Sequence, residues 1–209
     1  MKKAVLLDID GTLLNAWDFV FDAIKHALTF HEISHPTDSQ IKKAMGRALT
    51  AFYRELLPGA DPAVLAKTHQ DFQEKNFHTL KPFPKAKKTL KRLRSSGFLL
   101  AAVSNRMRGS LLHSLKVAKM LDYFDVIVSA DDVVNPKPHR EHVLVALKKL
   151  EVEPTNAYMV GDMEMDILAG KAAKVKTIGV TYGFMGKDIA KHNPDYLIDN
   201  IEELVKILK

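Results

Sequence analysis

Residues 4–12 read AVLLDIDGT, an apolar run that changes abruptly into two aspartates and a glycine. Four consecutive apolar residues that end in turn-forming residues are typical of a buried β-strand leading into a tight loop. From such a loop Asp8 and Asp10 can point at one site, where two carboxylates can bind a hard divalent cation and supply a nucleophile and a proton carrier. Gly11 permits the tight turn, and the amides around Gly11 and Thr12 can hold phosphate oxygens. The same string also occurs as an ordinary aspartate-rich turn, so its placement directly after an apolar run is what favours a site.

Later apolar runs share this character and alternate with helical patterns along the chain. The predicted strands cover residues 98–103, 126–129, 157–160, 177–180 and 196–198. The predicted helices between and around them cover residues 86–95, 110–120, 140–150 and 165–173. Strands that alternate with helices indicate a parallel sheet covered on both faces. The sequence therefore predicts an α/β fold with a Rossmann-like parallel sheet.

Residues 15–80 break this alternation, because they carry helical patterns and no predicted strand. The sequence TDSQ at residues 37–40 is typical of a capping box, and DP at residues 61–62 is typical of a helix start. A helical insertion of about 65 residues directly after the first strand is too long for a connecting loop. We therefore expect two domains, a core formed by residues 1–14 and 82–209 and a small all-helical domain formed by residues 15–81.

Composition excludes several kinds of site and partner. The 209 residues include no cysteine, which excludes disulfides, thiolate zinc sites and a cysteine nucleophile. The formal net charge is +6, but much of the basic density lies in residues 85–94, on the solvent face of a predicted amphipathic helix without a nucleic-acid-binding motif. No apolar run approaches the roughly 18 residues that a membrane span needs. We expect a cytoplasmic protein, monomeric or homodimeric, that binds neither nucleic acid nor membranes.

Reactive side chains follow three further predicted strands, at the edge of a parallel sheet where ligands bind. Ser104 and Asn105 follow the second strand and can donate to a phosphate oxygen. Lys137 follows the third, between two prolines that stiffen its loop. Asp162 leaves the fourth strand, and Asp166 lies about one helical turn farther on, so both can face one site. Each feature alone has an ordinary explanation as a turn, a helix cap or a surface charge, but their joint occurrence favours a site.

These residues also carry a resemblance to a known superfamily. The four sequence motifs of the haloacid dehalogenase-like superfamily resemble residues 8–12, Ser104, Lys137, and Gly161-Asp162 with Asp166. The helical segment after the first motif resembles that superfamily's helical cap, and residues 181–184 (TYGF) resemble a segment common in its phosphoglycolate phosphatase-like group. Met163 and Lys174 depart from the pattern, since relatives often have Thr or Ser at the first position and Gly at the second. The resemblance covers residues 3–208.

The resemblance implies a role for each carboxylate. Asp8 would attack phosphorus and form an aspartyl-phosphate, while Asp10 would protonate the leaving alcohol and later take a proton from water. Mg2+ would be bound by the Asp8 carboxylate, the Asp10 backbone carbonyl and Asp162. Asp166 would act through water or through a hydrogen bond to another metal-binding group. These four aspartates are therefore the predicted metal site.

The resemblance also implies which groups bind the substrate. Ser104, Asn105 and Lys137, with the loop at Gly11 and Thr12, would contact the transferring phosphoryl group.

Arg47 lies where relatives have the specificity loop of the cap, so we hypothesise that it binds the non-phosphate end of the substrate, for instance a carboxylate. A surface arginine at a helix end explains the same residue equally well.

Asp10 favours phosphoryl transfer over dehalogenation, because the dehalogenases of this superfamily lack that acid. The predicted function is Mg2+-dependent hydrolysis of a small phosphorylated metabolite, with 2-phosphoglycolate as the best guess. Inorganic pyrophosphatase and a sugar phosphomutase similar to β-phosphoglucomutase are the alternatives within the fold. A receiver-like phospho-aspartate signalling module is the non-enzymatic alternative, although receivers lack a helical insertion. His139 and His142 have no evident third ligand, so we expect no metal there.

Overall fold

A computed structural model describes residues 2–208 and contains a six-stranded parallel sheet in the order β5-β4-β1-β6-β7-β8. The strands are β1 (Lys3–Leu7), β2 (Leu14–Asn15), β3 (Lys81–Pro82), β4 (Phe98–Val103), β5 (Val126–Val128), β6 (Ala157–Gly161), β7 (Lys176–Val180) and β8 (Tyr196–Ile198). The short strands β2 and β3 form a separate antiparallel pair. The predicted α/β fold and all six predicted core strands are confirmed.

Helices follow most of these strands. They are α1 (Trp17–Phe30), α2 (Asp38–Ala44), α3 (Leu49–Leu56), α4 (Pro62–Asn76), α5 (Ala86–Ser95), α6 (Arg108–Val117), α7 (Glu141–Leu150), α8 (Glu164–Ala172) and α9 (Leu204–Ile207). The helix expected at residues 110–120 lies two to three residues nearer the N-terminus. Lys119 has a φ of 53°, a left-handed conformation that ends an α-helix.

Both faces of the sheet are apolar, and the first strand shows why. Val5 and Leu7 pack into one buried cluster with residues of α5, α6 and α9. Ala4 and Leu6 pack into a second cluster with residues of α7 and α8. Side chains of a strand alternate between the two faces, so a strand covered on both sides must be apolar throughout. The continuous run AVLL is therefore the pattern that a central parallel strand requires.

The register of the central strands brings their carboxyl ends to one level. Leu7 pairs with Ala102 of β4 and with Val160 of β6. The Asp8 amide continues this pattern by donating to the Val160 carbonyl at 2.9 Å. The residues that follow β1, β4 and β6 therefore emerge side by side at the same edge of the sheet.

The helical segment α1–α4 lies between β2 and β3 and has an apolar cluster of its own, built around Ile24, Leu28 and Tyr53. Thr37 and Gln40 form the predicted capping box. Asp61 caps α4, accepting a hydrogen bond from the Ala63 amide at 2.8 Å. Sequence analysis did not predict the pair β2–β3, because two-residue strands are too short to show a periodic pattern.

No helix in the part of the chain that the structure describes is long and apolar enough to span a membrane.

Candidate active site

The Lys137 ammonium lies at the centre of the strand-end cluster. Its Nζ donates to Asp8 Oδ1 at 2.8 Å, to Asp166 Oδ1 at 2.6 Å and to the Val103 carbonyl at 2.9 Å. All three donors of the ammonium are thus used, and the three charged side chains are buried. Residues far apart in sequence meet here because each follows a different strand of the sheet.

Asn105 holds the Lys137 loop in place. Its side-chain oxygen accepts from the Lys137 amide at 3.0 Å, and its Nδ2 donates to the Lys137 carbonyl at 2.9 Å and to the Gly46 carbonyl at 2.7 Å. The side chain expected to contact phosphate therefore connects two loops in this structure. Buried His142 supports the same loop, since its Nδ1 accepts from the Lys137 amide at 3.2 Å while Nε2 lies 3.0 Å from the Ser129 carbonyl.

Asp162 is fully buried and oriented by groups from two other loops. The Thr12 hydroxyl donates to Asp162 Oδ1 at 3.1 Å, and the Phe184 amide donates to Oδ2 at 2.7 Å. Gly11 has a φ of +82°, and a Cβ there would lie 2.2 Å from Asp162 Oδ2. Only glycine fits that conformation and spacing. The Thr12 hydroxyl therefore positions a carboxylate.

Asp8, Asp162 and Asp166 form a buried acidic cluster whose nearest carboxylate oxygens all lie within 4.8 Å of one another. Burial raises the pKa of Asp8 to about 7, an effect that the Lys137 ammonium opposes. Burial also raises the pKa of Asp162, and the charges of Asp8 and Asp166 raise it further. Burial alone would lower the pKa of Lys137, but Asp166 and Asp8 raise it, so Lys137 stays protonated. One ammonium faces three carboxylates, and a divalent cation bound by oxygen ligands would offset the remaining negative charge.

The Asp10 side chain lies apart from this cluster and pairs with Arg106. Arg106 Nε donates to Asp10 Oδ2 at 3.0 Å and Nη2 donates to Oδ1 at 3.1 Å. Arg106 Nη1 donates to Ser110 Oγ at 3.2 Å, and the guanidinium lies over the Phe19 ring. Arg106 was not among the predicted site residues. Its position directly after Ser104 and Asn105, at the ligand-binding edge, was the available signal.

A cavity separates the sheet edge from the helical segment, and we call it the site cavity. Its lining includes Asp8, Asp10, Ser104, Asn105, Arg106, Lys137 and Asp166 from the loops that follow the strands, and Arg47, Phe52, His69 and Gln73 from the helical segment. Arg47 Nε lies 2.5 Å from Glu55 Oε2. Ser104 is buried, and its hydroxyl accepts from the Arg106 amide at 3.2 Å.

Met163, one of the two departures from the superfamily pattern, packs against the helical segment. It belongs to the same apolar cluster as Ile24 and Tyr53. A Cβ at Gly46, which has a φ of +85°, would lie 3.3 Å from Met163 Cε. The methionine therefore fills the space beneath the loop that carries Arg47.

Comparisons with known proteins agree with this architecture. The family model described as haloacid dehalogenase-like hydrolase matches residues 5–180. Pyrophosphatase PpaX from Bacillus pumilus (strain SAFR-032) is 33% identical over 207 residues, covering 99% of this chain and 96% of that protein. Pyrophosphatase PpaX from Anoxybacillus flavithermus is 31% identical over 211 residues with the same coverage.

Among solved structures, a predicted phosphoglycolate phosphatase from Haemophilus somnus superposes with a TM-score of 0.91. The alignment covers 100% of this chain and 98% of that one at 22% identity, which shows a shared fold. The family match extends over most of the chain and includes the strand-end loops that form the site. On this evidence the chain belongs to the haloacid dehalogenase-like hydrolase family.

Proposed function

We propose that this protein is a Mg2+-dependent phosphatase that transfers a phosphoryl group to Asp8 and then to water. The observation that carries the proposal is the contact of Lys137 Nζ with both Asp8 and Asp166, beside Asp162, in one buried cluster. The Lys137 ammonium opposes the effect of burial on the pKa of Asp8, and it therefore favours the ionised, nucleophilic form of that carboxylate. The positive charge of the same ammonium can offset the negative charge of the incoming phosphoryl oxygens.

Mg2+ would be held by the carboxylates of Asp8 and Asp162 and by the Asp10 backbone carbonyl. Asp166 would act through water or through a hydrogen bond to another metal-binding group. When bound, the metal would neutralise charge on the phosphoryl oxygens. The support for this site is the excess of buried carboxylate over ammonium described above.

The chain's own groups account for both halves of the reaction. An Asp8 oxygen forms a bond to phosphorus while the bond between phosphorus and the leaving oxygen breaks, and Asp10 protonates that oxygen. Water then attacks the aspartyl-phosphate, Asp10 takes the water proton, and the Asp8 carboxylate is released with inorganic phosphate. Ser104, beside Asp8 at the sheet edge, would contact the transferring group.

Residues 15–81 would serve as a cap domain over this site, with the core formed by residues 1–14 and 82–209. The support is the apolar cluster built mainly from residues of α1–α4, and the contact of this segment with the core through the Asn105 side chain and the Gly46 carbonyl. A cap that covers the cavity excludes water from the aspartyl-phosphate until hydrolysis. Arg47 would face the leaving group.

Pyrophosphate is the first substrate candidate, because three relatives above 30% identity are named pyrophosphatases. 2-Phosphoglycolate is the second, since Arg47 and Arg106 line the site cavity and an arginine can bind a carboxylate with two hydrogen bonds. Both are small phosphate compounds whose leaving group is an anion.

A phosphate-release screen over phosphorylated metabolites tests the proposed function. We expect Mg2+-dependent release of phosphate from pyrophosphate or 2-phosphoglycolate, without an isomerised product. Conversion of β-glucose 1-phosphate into an isomer would favour the mutase alternative. Failure to release phosphate from any compound in the presence of Mg2+ would contradict the proposal.

Binding of Mg2+ should stabilise the fold, and more so at higher pH. Because burial raises the pKa of Asp8 from 3.8 to about 7, the metal-free folded state binds an extra proton between these values. The metal-free protein should therefore lose stability as pH rises through that window. Mg2+ needs the ionised carboxylates, so the gain in Tm on adding it should be larger at about pH 8 than at about pH 5. Saturation at about 100 times Kd corresponds to about 2.7 kcal/mol.

Differential scanning fluorimetry with and without Mg2+ measures this effect. Asp162→Asn should remove most of the gain. Asp188→Asn, a change at an exposed aspartate paired with Lys191, should leave it intact. An equal gain in the wild type and in Asp162→Asn would place the metal elsewhere.

A further inference from the structure

Three polar side chains line the site cavity without forming or breaking a bond in the proposed reaction. His69 and Gln73 lie one turn apart on α4, and Arg106 lies on the loop after β4. The exposed fraction is 2% for His69, 6% for Gln73 and 10% for the side chain of Arg106. Among the residues that the structure describes, Thr89 Oγ1 is the one buried side-chain polar atom without a hydrogen-bond partner, so the free donors of these three residues are accessible from the cavity.

His69 presents a donor to the cavity. Its Nδ1 lies 3.0 Å from the buried Tyr53 hydroxyl. Burial lowers the pKa of His69 to about 3, with a further lowering by Arg106, so the ring is neutral. Burial also raises the pKa of Tyr53, which keeps its hydroxyl protonated. Within residues 2–208 the Tyr53 hydroxyl has no other hydrogen-bond partner, so it donates to Nδ1 and the ring proton stays on Nε2.

Gln73 and Arg106 add further donors. Among the residues that the structure describes, the Gln73 side-chain amide forms no hydrogen bond although it lines the cavity. Arg106 uses three N–H groups on Asp10 and Ser110, and a guanidinium carries five. Two N–H groups therefore have no protein acceptor in the described part of the chain. Together the three residues offer hydrogen-bond donors, and the Arg106 guanidinium keeps two of these donors free although Asp10 balances its charge, which suits a ligand rich in acceptor oxygens.

We infer that His69, Gln73 and Arg106 form a subsite for an oxyanion carried by the leaving group of the substrate. This inference rests on the proposed function and specifies its substrate class. The oxyanion is the phosphate that is not transferred if the substrate is pyrophosphate, or a carboxylate if it is 2-phosphoglycolate. A substrate whose leaving group is an uncharged alcohol leaves these donors without an acceptor, which is costly in a buried site.

Matched substrate pairs isolate this contribution. 2-Phosphoglycolate and 2-hydroxyethyl phosphate differ at the carboxylate, and pyrophosphate and methyl phosphate differ at the second phosphate. The measured quantity is the ratio of kcat/KM within each pair. Because phosphate is an intrinsically better leaving group than methanol, the oxyanion is identified by the pair whose ratio falls in the subsite variants, and not by the larger ratio in the wild type.

In the wild type we expect the oxyanion substrate of one pair to be preferred. Arg106→Met should reduce that preference roughly 10- to 100-fold, mainly through kcat/KM of the oxyanion substrate. Gln73→Glu should reduce it by a similar factor, because a carboxylate there repels the anion. Arg108→Met is the matched control, since Arg108 is exposed, pairs with Asp132 and does not line the cavity. Its ratios should equal those of the wild type.

Three outcomes would contradict the subsite, the proposed function or both. Asp8-dependent hydrolysis of the alcohol esters with no preference in either pair would overturn the subsite and leave the proposed function standing. Unchanged ratios in Gln73→Glu would overturn the subsite even if Arg106→Met does not fold. Absence of Asp8-dependent phosphate release from all four substrates would overturn both.

Discussion

Replacing Asp8 by asparagine should abolish phosphate release, with a loss of at least about 10⁴-fold in kcat. An amide cannot form the acyl phosphate, and no other carboxylate can take over. Asp162 is fully buried and oriented by Thr12 and Phe184, and Asp10 is paired with Arg106. The measurement is initial-rate phosphate release with Mg2+, together with acid-quench trapping of a phosphorylated protein, which the wild type should form and Asp8→Asn should not.

Asp8→Asn should lose activity because the nucleophile is missing, and not because the protein unfolds. Asparagine has nearly the shape of aspartate, and it removes one charge from a cluster of three carboxylates around one ammonium. The Tm of the metal-free variant should therefore equal or exceed that of the wild type at neutral pH. A variant that keeps full activity would show that the nucleophile lies elsewhere.

Replacing Lys137 by methionine should destabilise the metal-free protein by about 3–5 kcal/mol at neutral pH, because it leaves Asp8 and Asp166 buried without their counter-ion. kcat should also fall by roughly 10²- to 10³-fold through loss of charge stabilisation at the phosphoryl group. The destabilisation should shrink as pH falls through the raised pKa of Asp8, where that carboxyl becomes neutral. Denaturant unfolding at about pH 7.5 and about pH 5 measures this difference.

A double-mutant cycle with Asp166→Asn tests the electrostatic cause. If the Lys137 charge is responsible, Lys137→Met should cost less in the background of Asp166→Asn than in the wild type. Lys191→Met, at an exposed ion pair, should change the free energy of unfolding by less than about 1 kcal/mol. If the changes in the free energy of unfolding caused by Lys137→Met and Asp166→Asn are fully additive, the electrostatic explanation is wrong.

Much of the fold could be predicted from local patterns. The six core strands and helices α5 and α7 lie within about one residue of their predicted positions, because apolar runs and helical stripes report burial directly. The pair β2–β3 could not be predicted, since its partners Leu14 and Pro82 are joined across the whole helical segment. Two strands of two residues each pair only because the folded helical segment between them brings their backbones together.

The common location of the site residues could be predicted because the parallel arrangement of the strands could be predicted. Once Asp8, Ser104, Lys137 and Asp162 are each placed after a strand, a parallel sheet brings them to one edge. Their individual partners were not predictable. The oligomeric state, expected to be a monomer or homodimer, and the individual catalytic roles stay predictions.

The sequence alone determined which polar and charged residues follow each strand. It therefore predicted that the strand in AVLLDIDGT ends at a site that contains carboxylates. It could do so because strand pattern and loop position are local properties of the chain. Only the tertiary structure decided that Lys137 neutralises both Asp8 and Asp166, that Asn105 spans to Gly46, and that Arg106 faces α4. Hydrogen-bond partners and charges in a buried site are set by distances between segments remote in sequence, and packing fixes those distances.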